Sequence, residues 1–415
     1  MRVVIIGGGS AGTTCAFELR KLDKQAEITI LEKGNHTQYS PCALPYVVSG
    51  EIRDFKDIFL FSEKDYSAND ISLSLNSSVE RIDREDKTIT FTREGETQEL
   101  KYDKLVIATG SSSFVPPIEG LESTKYKVLK TIEDAKDISP KGKSIVIGAG
   151  MIGVELADSL AQRGENVSLI EVKENILPGL LDKKMAGRLK EYLDFDIYEE
   201  MPVKISENKV SDIPFDNLFI CTGMKPNIAL AKECGIETDK AIVIDDYLQT
   251  SDEDIYACGD CTEVTEFYTG NKIVSGLGTT AVRQAKIIAK NILGGEEKFP
   301  PVMNNSVTKL RRVFVGSVGT TGSVSAEYAG PARAEYYPSD ERIAVKLFCD
   351  RSGIVIGGQL IGTEVVGRLD LIALAISKSM HVRELAELET CYNPASAPIF
   401  DPVSIAAQIC MKKIR

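Results

Sequence analysis

One pattern occurs twice in this chain and leaves few folds open to it. Residues 2–33 read as an apolar strand around Val3-Val4-Ile5-Ile6, a glycine turn (Gly7-Gly8-Gly9-Ser10-Ala11-Gly12) and a helix to about Leu22. A second strand, Ile28-Thr29-Ile30-Leu31, follows and is closed by Glu32 and Lys33. Residues 144–171 repeat the unit: Ser144-Ile145-Val146-Ile147, then Gly148-Ala149-Gly150-Met151-Ile152-Gly153, a helix through Ala161, and Val167-Ser168-Leu169-Ile170-Glu171. In each copy one glycine makes a tight turn, the next lets a pyrophosphate approach the backbone, and the third allows close helix–strand packing. Phosphates then sit at the helix N-terminus, where free N–H groups favour anions. An acid about 20 residues after the loop can accept hydrogen bonds from a ribose diol. A glycine-rich structural turn is the alternative, but strand, helix and acid stand in register in both copies. The duplication predicts an α/β chain that binds two dinucleotides. Glu171 would repel a 2′-phosphate and favours NADH; nearby Lys173 leaves NADPH open.

At 415 residues the chain exceeds one ordinary core, so two or three domains are expected. A net charge of −12 argues against a nucleic-acid partner, because no basic field is available to neutralise phosphates. Met1-Arg2 leads straight into a strand, and no apolar run approaches the roughly 18 residues of a membrane span, so a cytoplasmic location is expected. Nine cysteines without framework spacing fit reduced thiols, and two histidines, His36 and His381, make a multi-histidine metal site unexpected.

Two further segments resemble each other: Asp103 to Thr109-Gly110, and Asp216 to Thr222-Gly223, apolar strands ending in small residues where a cofactor edge can pass. Thr250 to Cys261 delivers Gly259-Asp260, an acid suited to a polyol chain. Cys258 and Cys261 straddle that acid and do not open a helix, so they read as structural. The stretch Tyr39-Ser40-Pro41-Cys42-Ala43-Leu44-Pro45-Tyr46 holds one cysteine fenced by prolines that restrict the backbone. By itself Cys42 could be a buried small hydrophobe.

These motifs, in this order over residues 1–300, resemble the FAD- and NAD(P)H-binding pyridine nucleotide–disulfide oxidoreductases. Cys42-Ala43-Leu44-Pro45-Tyr46 resembles the single-cysteine coenzyme A-disulfide reductase and NADH oxidase branch; Val47 stands where the glutathione-reductase branch has a second cysteine. The resemblance implies two Rossmann-like domains plus a C-terminal α+β dimerisation domain. The divisions are FAD-binding at 1–113 and 244–300, NAD(P)H-binding at 114–243, and dimerisation at 301–415, after a linker at Pro300-Pro301. It implies FAD contacts at Gly7, Gly9, Ser10, Gly12, Glu32, Lys33, Val79, Thr109, Gly110 and Asp260. Gly278-Thr279-Thr280 is expected to open a helix to about Asn291 facing the flavin. NAD(P)H is assigned Gly148, Gly150, Ile152, Gly153, Glu155, Glu171 and Gly223. Tyr392, and with it Tyr337, resembles the tyrosine elements that reach the cysteine of the other subunit in a homodimer; satisfied core tyrosines are the alternative. Arg20-Lys21 resembles a basic pair that contacts coenzyme A phosphates, or else forms a solvated helix face.

Two electrons then pass from NADH through flavin to a sulfur near it. The branch implies reduction of coenzyme A disulfide or a related small disulfide, persulfide or polysulfide by Cys42 as thiolate, with a lowered pKa and a tyrosine protonating the leaving sulfur. An NADH oxidase, with Cys42 cycling through sulfenic acid as O₂ is reduced, is the second reading. A flavoprotein passing electrons to an iron–sulfur partner is a third, and has no need of Cys42. Ser10 replaces the loop histidine of the branch's peroxidases, which disfavours that activity; Gln38 and Pro41 depart from the usual Ser and Asn.

Overall fold

The computed structural model describes residues 1–138 and 141–414; Arg415, the last residue of the expected dimerisation domain, lies outside them. The first repeat forms the middle of a five-stranded parallel sheet in the order Ile255–Ala257, Lys104–Ile107, Arg2–Ile6, Glu27–Leu31, Ile71–Ser74. Covered on both faces, such a sheet takes near-continuous β-branched runs, and Val3, Ile5, Leu105, Val106 and Ile107 are all fully buried. The second repeat builds a four-stranded parallel sheet, Asp196–Tyr198, Asn166–Ile170, Lys143–Ile147, Asn217–Ile220. In both sheets the repeat's second strand lies on one side of its first strand, and the strand ending in Thr-Gly lies on the other. The strand order therefore reverses at the glycine loop, which is where open α/β sheets form a ligand crevice.

The chain passes between the two sheets through a short antiparallel pair, Ser111–Ser113 with Met224–Pro226. It then returns to the first sheet to add Ile255–Ala257, and the helix Gly278–Asn291 packs on the first repeat's helix, Ser10–Leu22. The last part is a five-stranded antiparallel sheet ordered Ser306–Lys309, Phe314–Gly319, Val355–Gly362, Arg342–Cys349, Val324–Pro331. The helices Val365–Ser377 and Pro402–Met411 bury Leu369, Ile372, Val403 and Ala406 in the core beneath it. Val324–Pro331 escaped the sequence reading because Ala326, Ala329 and Gly330 blur its alternation.

Candidate active site

The two glycine loops are near-copies in detail. Both repeat helices start from an extended glycine, Gly9 or Gly150, with no side-chain cap, so the first helical N–H groups stay free for an anion. A Cβ added at Gly9 or Gly150 would meet nothing within 4 Å, leaving open space over each helix end. A Cβ at Gly12 or Gly153 would collide with the carbonyl oxygen of Gly7 or Gly148, so the third glycine is sterically required in both.

The acids repeat as well. Glu32 accepts hydrogen bonds from Gly8 N (2.6 Å) and Gly34 N (2.6 Å). Glu171 accepts from Ala149 N (2.8 Å) and Lys173 N (2.9 Å). Each carboxylate is thus pinned beside its glycine loop with lone pairs left for hydroxyl donors. Lys33 is exposed beside the first acid, while Val79, on the strand Ser77–Asp83, and Ile152 are half-buried.

The first Thr-Gly strand end is held by a residue the sequence reading missed, Asn227, which follows the strand Met224–Pro226. Asn227 donates from Nδ2 to Thr109 O (2.9 Å), its carbonyl accepts from Thr109 Oγ1 (2.7 Å), and its side-chain oxygen accepts from Ser112 Oγ (2.7 Å). Gly110 and Gly223 both have left-handed φ, 63° and 124°. Asp260 accepts from Ser111 Oγ at 2.8 Å, and Lys130 Nζ stands 3.8 Å from Asp260 and 3.2 Å from Ser111 Oγ. Lys130 had no motif of its own. Its anchor, the capping box in which Thr131 and Asp134 bond each other's backbone amides, is legible as Thr-Ile-Glu-Asp. At the opening of the helix Gly278–Asn291, Gly278 and Thr279 are exposed, and the buried Thr280 hydroxyl bonds Ser275 Oγ (3.0 Å).

Cys42 sits in the single turn Pro41–Ala43 that leads into the helix Leu44–Ser49. It is accessible from one side, and protein surrounds the rest of the thiol. Desolvation, then the Glu155 carboxylate, push the thiol pKa up, while Lys130 opposes them. The expected lowering of this pKa is therefore not supplied by the polypeptide. Glu155 itself accepts a hydrogen bond from Thr308 Oγ1, across from the C-terminal sheet. Burial pushes its carboxyl up to about 7. Cys258 and Cys261 are fully buried with raised pKa values, and Cys261 donates to Cys258 O (3.2 Å).

The expected tyrosines and the expected basic pair have partners within the chain. Tyr392 shares a hydroxyl–hydroxyl hydrogen bond with Tyr336, not Tyr337, and both partners are exposed. Tyr337 instead lies half-buried beneath the Arg333 guanidinium, 5.9 Å from its ring centroid. Arg20 is neither a solvated face residue nor available to phosphates. It is buried, and its guanidinium donates to four carbonyls, of Asn69 (2.9 Å), Asp23 (3.1 Å), Ala26 (2.6 Å) and Asp70 (2.9 Å). Lys21 remains exposed, paired with Glu18 at 2.8 Å.

Residues 1–285 match the family described as pyridine nucleotide-disulphide oxidoreductase, and residues 317–402 match that family's dimerisation domain. The chain belongs to the pyridine nucleotide-disulphide oxidoreductases. As such it is an NAD(P)H-dependent flavoprotein oxidoreductase, and FAD and NAD(P)H are the cofactors that its two cradles fit. It is 38% identical to a protein named NADH oxidase from Methanocaldococcus jannaschii, with 100% of this chain and 99% of that one aligned. It is 29% identical to the NAD(P)H coenzyme A polysulfide/persulfide reductase of Pyrococcus horikoshii over 98% of each. The solved structure of an NAD-dependent persulfide reductase from A. fulgidus superposes with a TM-score of 0.94 at 34% identity, covering 100% of this chain and 83% of that one. Within the oxidoreductase, both Tyr336 and Tyr392 fall in the segment that matches the dimerisation domain. No helix among the described residues is long and apolar enough to cross a membrane.

Proposed function

We propose that this oxidoreductase reduces coenzyme A disulfide or a related small disulfide, persulfide or polysulfide, with Cys42 as its single redox thiol and NADH as the preferred donor. The observation that carries this reading is the placement of the cysteines. Of nine, only Cys42 and Cys391 are exposed, and of these two Cys42 alone stands in the nucleotide-binding part, where it feels the charges of Glu155 and Lys130. Val47 occupies the next helical turn, so Cys42 has no second cysteine there with which to form an internal redox disulfide.

FAD and NADH, when bound, supply two electrons. Cys42 as thiolate forms a bond to one substrate sulfur; the other sulfur leaves and takes a proton. Two electrons and one proton then break the Cys42–substrate bond, returning the thiolate and releasing a second thiol. The pair Tyr336–Tyr392 is suited to hold and deliver the leaving group's proton, in a homodimer where one subunit's tyrosines reach the other's Cys42. The dimerisation-domain match supports that arrangement. Lys21 is the remaining candidate for a coenzyme A phosphate. Units at 1–113 with 244–300, 114–243 and 301–415, and a cytoplasmic location, complete the proposal.

The test is NADH-dependent cleavage of coenzyme A disulfide by the Cys42→Ser variant, with dye reduction as the control. Disulfide reduction falls to background while dye reduction persists; undiminished disulfide reduction refutes the reading. Oxygen reduction through a Cys42 sulfenic acid is the second reading, favoured by the 38% identity to a named NADH oxidase. It gains if oxygen uptake, not disulfide turnover, collapses in the variant.

A further inference from the structure

The C-terminal sheet has two faces, and only one of them covers its own helices. Ala326, Val345, Leu347 and Leu360 share a core with Val365–Ser377 and Pro402–Met411. Strand alternation turns the residues between them to the other face. There Val315, Ala344 and Ile361 join Leu177, Leu181 and Met185 of the second dinucleotide unit in one apolar core. On that face a polar row crosses three strands: Glu327 lies opposite Lys346, and Lys346 opposite Gln359. All three engage the helix Lys183–Lys190 or the residue that caps it. Lys346 pairs with the Asp182 carboxylate, and Gln359 Oε1 accepts from Asp182 N (3.1 Å). Glu327 holds Lys184 (2.7 Å) and Arg188 (2.5 Å). Asp182 caps the helix by accepting from Lys184 N and Met185 N. The side chains of Glu327 and Lys346 are only 10% and 14% exposed, so these are not the solvent-screened pairs that contribute little.

From Asp182 a short backbone route reaches the second glycine loop. Leu181 N donates to Leu177 O (3.1 Å), and Leu177 N donates to Ala149 O at 2.8 Å, inside Gly148-Ala149-Gly150. Leu177 is fully buried with a φ of 49°, a left-handed conformation that a bulky residue keeps only where its surroundings impose it. We infer that Glu327, Lys346 and Gln359 form a mount that positions the second cradle, and NADH in it, for hydride transfer to the flavin. The dimerisation domain thereby acts on the reductive step as well as on assembly. The second unit joins the first through the short pair Ser111–Ser113 with Met224–Pro226, and the mount adds a support from a third direction of the chain. Hydride transfer depends steeply on where donor and acceptor stand, so a unit held at one more point keeps the productive geometry. The three are positioning residues: they act through Asp182 and the loop 172–182 and touch neither glycine loop. The inference does not depend on the role of Cys42. It rests on NADH taking the second cradle, which Glu171→Ala tests separately.

The experiment compares wild type with Lys346→Met, Glu327→Gln and Lys346→Arg in the flavin-loaded protein. Hydrogen exchange without NADH reads the mount itself. Lys346→Met and Glu327→Gln raise exchange in peptides covering 172–182 roughly tenfold and leave the first glycine loop as in wild type. Anaerobic stopped-flow mixing with NADH reads the consequence. The limiting rate of flavin reduction at saturating NADH, which weaker binding alone cannot lower, falls roughly threefold or more, since a misplacement of about 1 Å can cost about a hundredfold. Lys346→Arg keeps the ion pair and stays close to wild type in both readings. Unchanged exchange in the loop overturns the inference, and so does faster exchange with flavin reduced at the wild-type rate. A loss in Lys346→Arg as large as in Lys346→Met overturns it too. Should Lys346→Met fail to fold, Glu327→Gln carries both readings with the same outcomes.

Discussion

Tyr336 and Tyr392, 56 residues apart, join hydroxyls on the exposed face of the C-terminal domain. The bond couples the loop after Val324–Pro331 to the segment before the last helix, and a proton held there can be passed between two phenols. Replacing either by Phe should lower kcat for disulfide reduction roughly tenfold to a hundredfold, the range of a lost general acid. Tyr337→Phe should change kcat by less than about twofold, because that ring is engaged by Arg333. Steady-state kinetics of the three variants checks this; equal losses at Tyr336 and Tyr337 would contradict the assignment.

The matched acids Glu32 and Glu171 allow a paired prediction. Glu171→Ala should raise KM for NADH by roughly tenfold or more, with flavin retained, because it removes a charge-assisted acceptor pinned by Ala149 N and Lys173 N. Glu32→Ala should instead loosen FAD, read as flavin released on dilution. Swapped phenotypes would mean that the cradles are assigned the wrong way round.

Arg20 should matter for stability and not for substrate. Arg20→Leu strips four carbonyls of their donor, at a cost of at least about 3 kcal/mol. The denaturant midpoint should fall, while the KM for coenzyme A disulfide of the folded fraction stays within twofold. Lys21→Ala should show the reverse pattern if Lys21 binds a phosphate.

Glu155 makes stability depend on pH with a definite sign. Its folded-state pKa, about 7, lies above the ordinary value of 4.5, so the folded protein holds the proton more tightly than the unfolded chain. Below pH 4.5 the group contributes no penalty. Between 4.5 and 7 stability falls as the unfolded state ionises first, and above 7 the full penalty, on the order of 3 kcal/mol, applies. Glu155→Gln should remove that slope, so its stability gain over wild type grows from pH 5 to pH 7. A pH-independent difference in urea midpoints would contradict the raised pKa.

Much of this was legible in the chain because it is local. Gly7, Gly9, Gly12 and Glu32, and their copies Gly148, Gly150, Gly153 and Glu171, are each set by a strand–turn–helix of about 30 residues. Cys42 was marked by the prolines around it. What escaped depends on distant partners. Thr308 touches Glu155 from 153 positions away, Asn227 reaches Thr109 from 118, and the donors of Arg20 are absorbed by carbonyls at Asn69 and Asp70. Nothing near those residues in sequence signals the contact. Tyr336 and Tyr337 are adjacent in a turn yet have different partners, and only the fold decides which meets Tyr392.

The most direct test of the central claim is chemical trapping. NADH-reduced enzyme, kept anaerobic, is mixed with coenzyme A disulfide, quenched in acid within one turnover, and digested for peptide mass. The expected product is a reductant-sensitive coenzyme A adduct on Cys42 and on no other cysteine, Cys391 included. Coenzyme A released at full rate while Cys42 stays unmodified would contradict it.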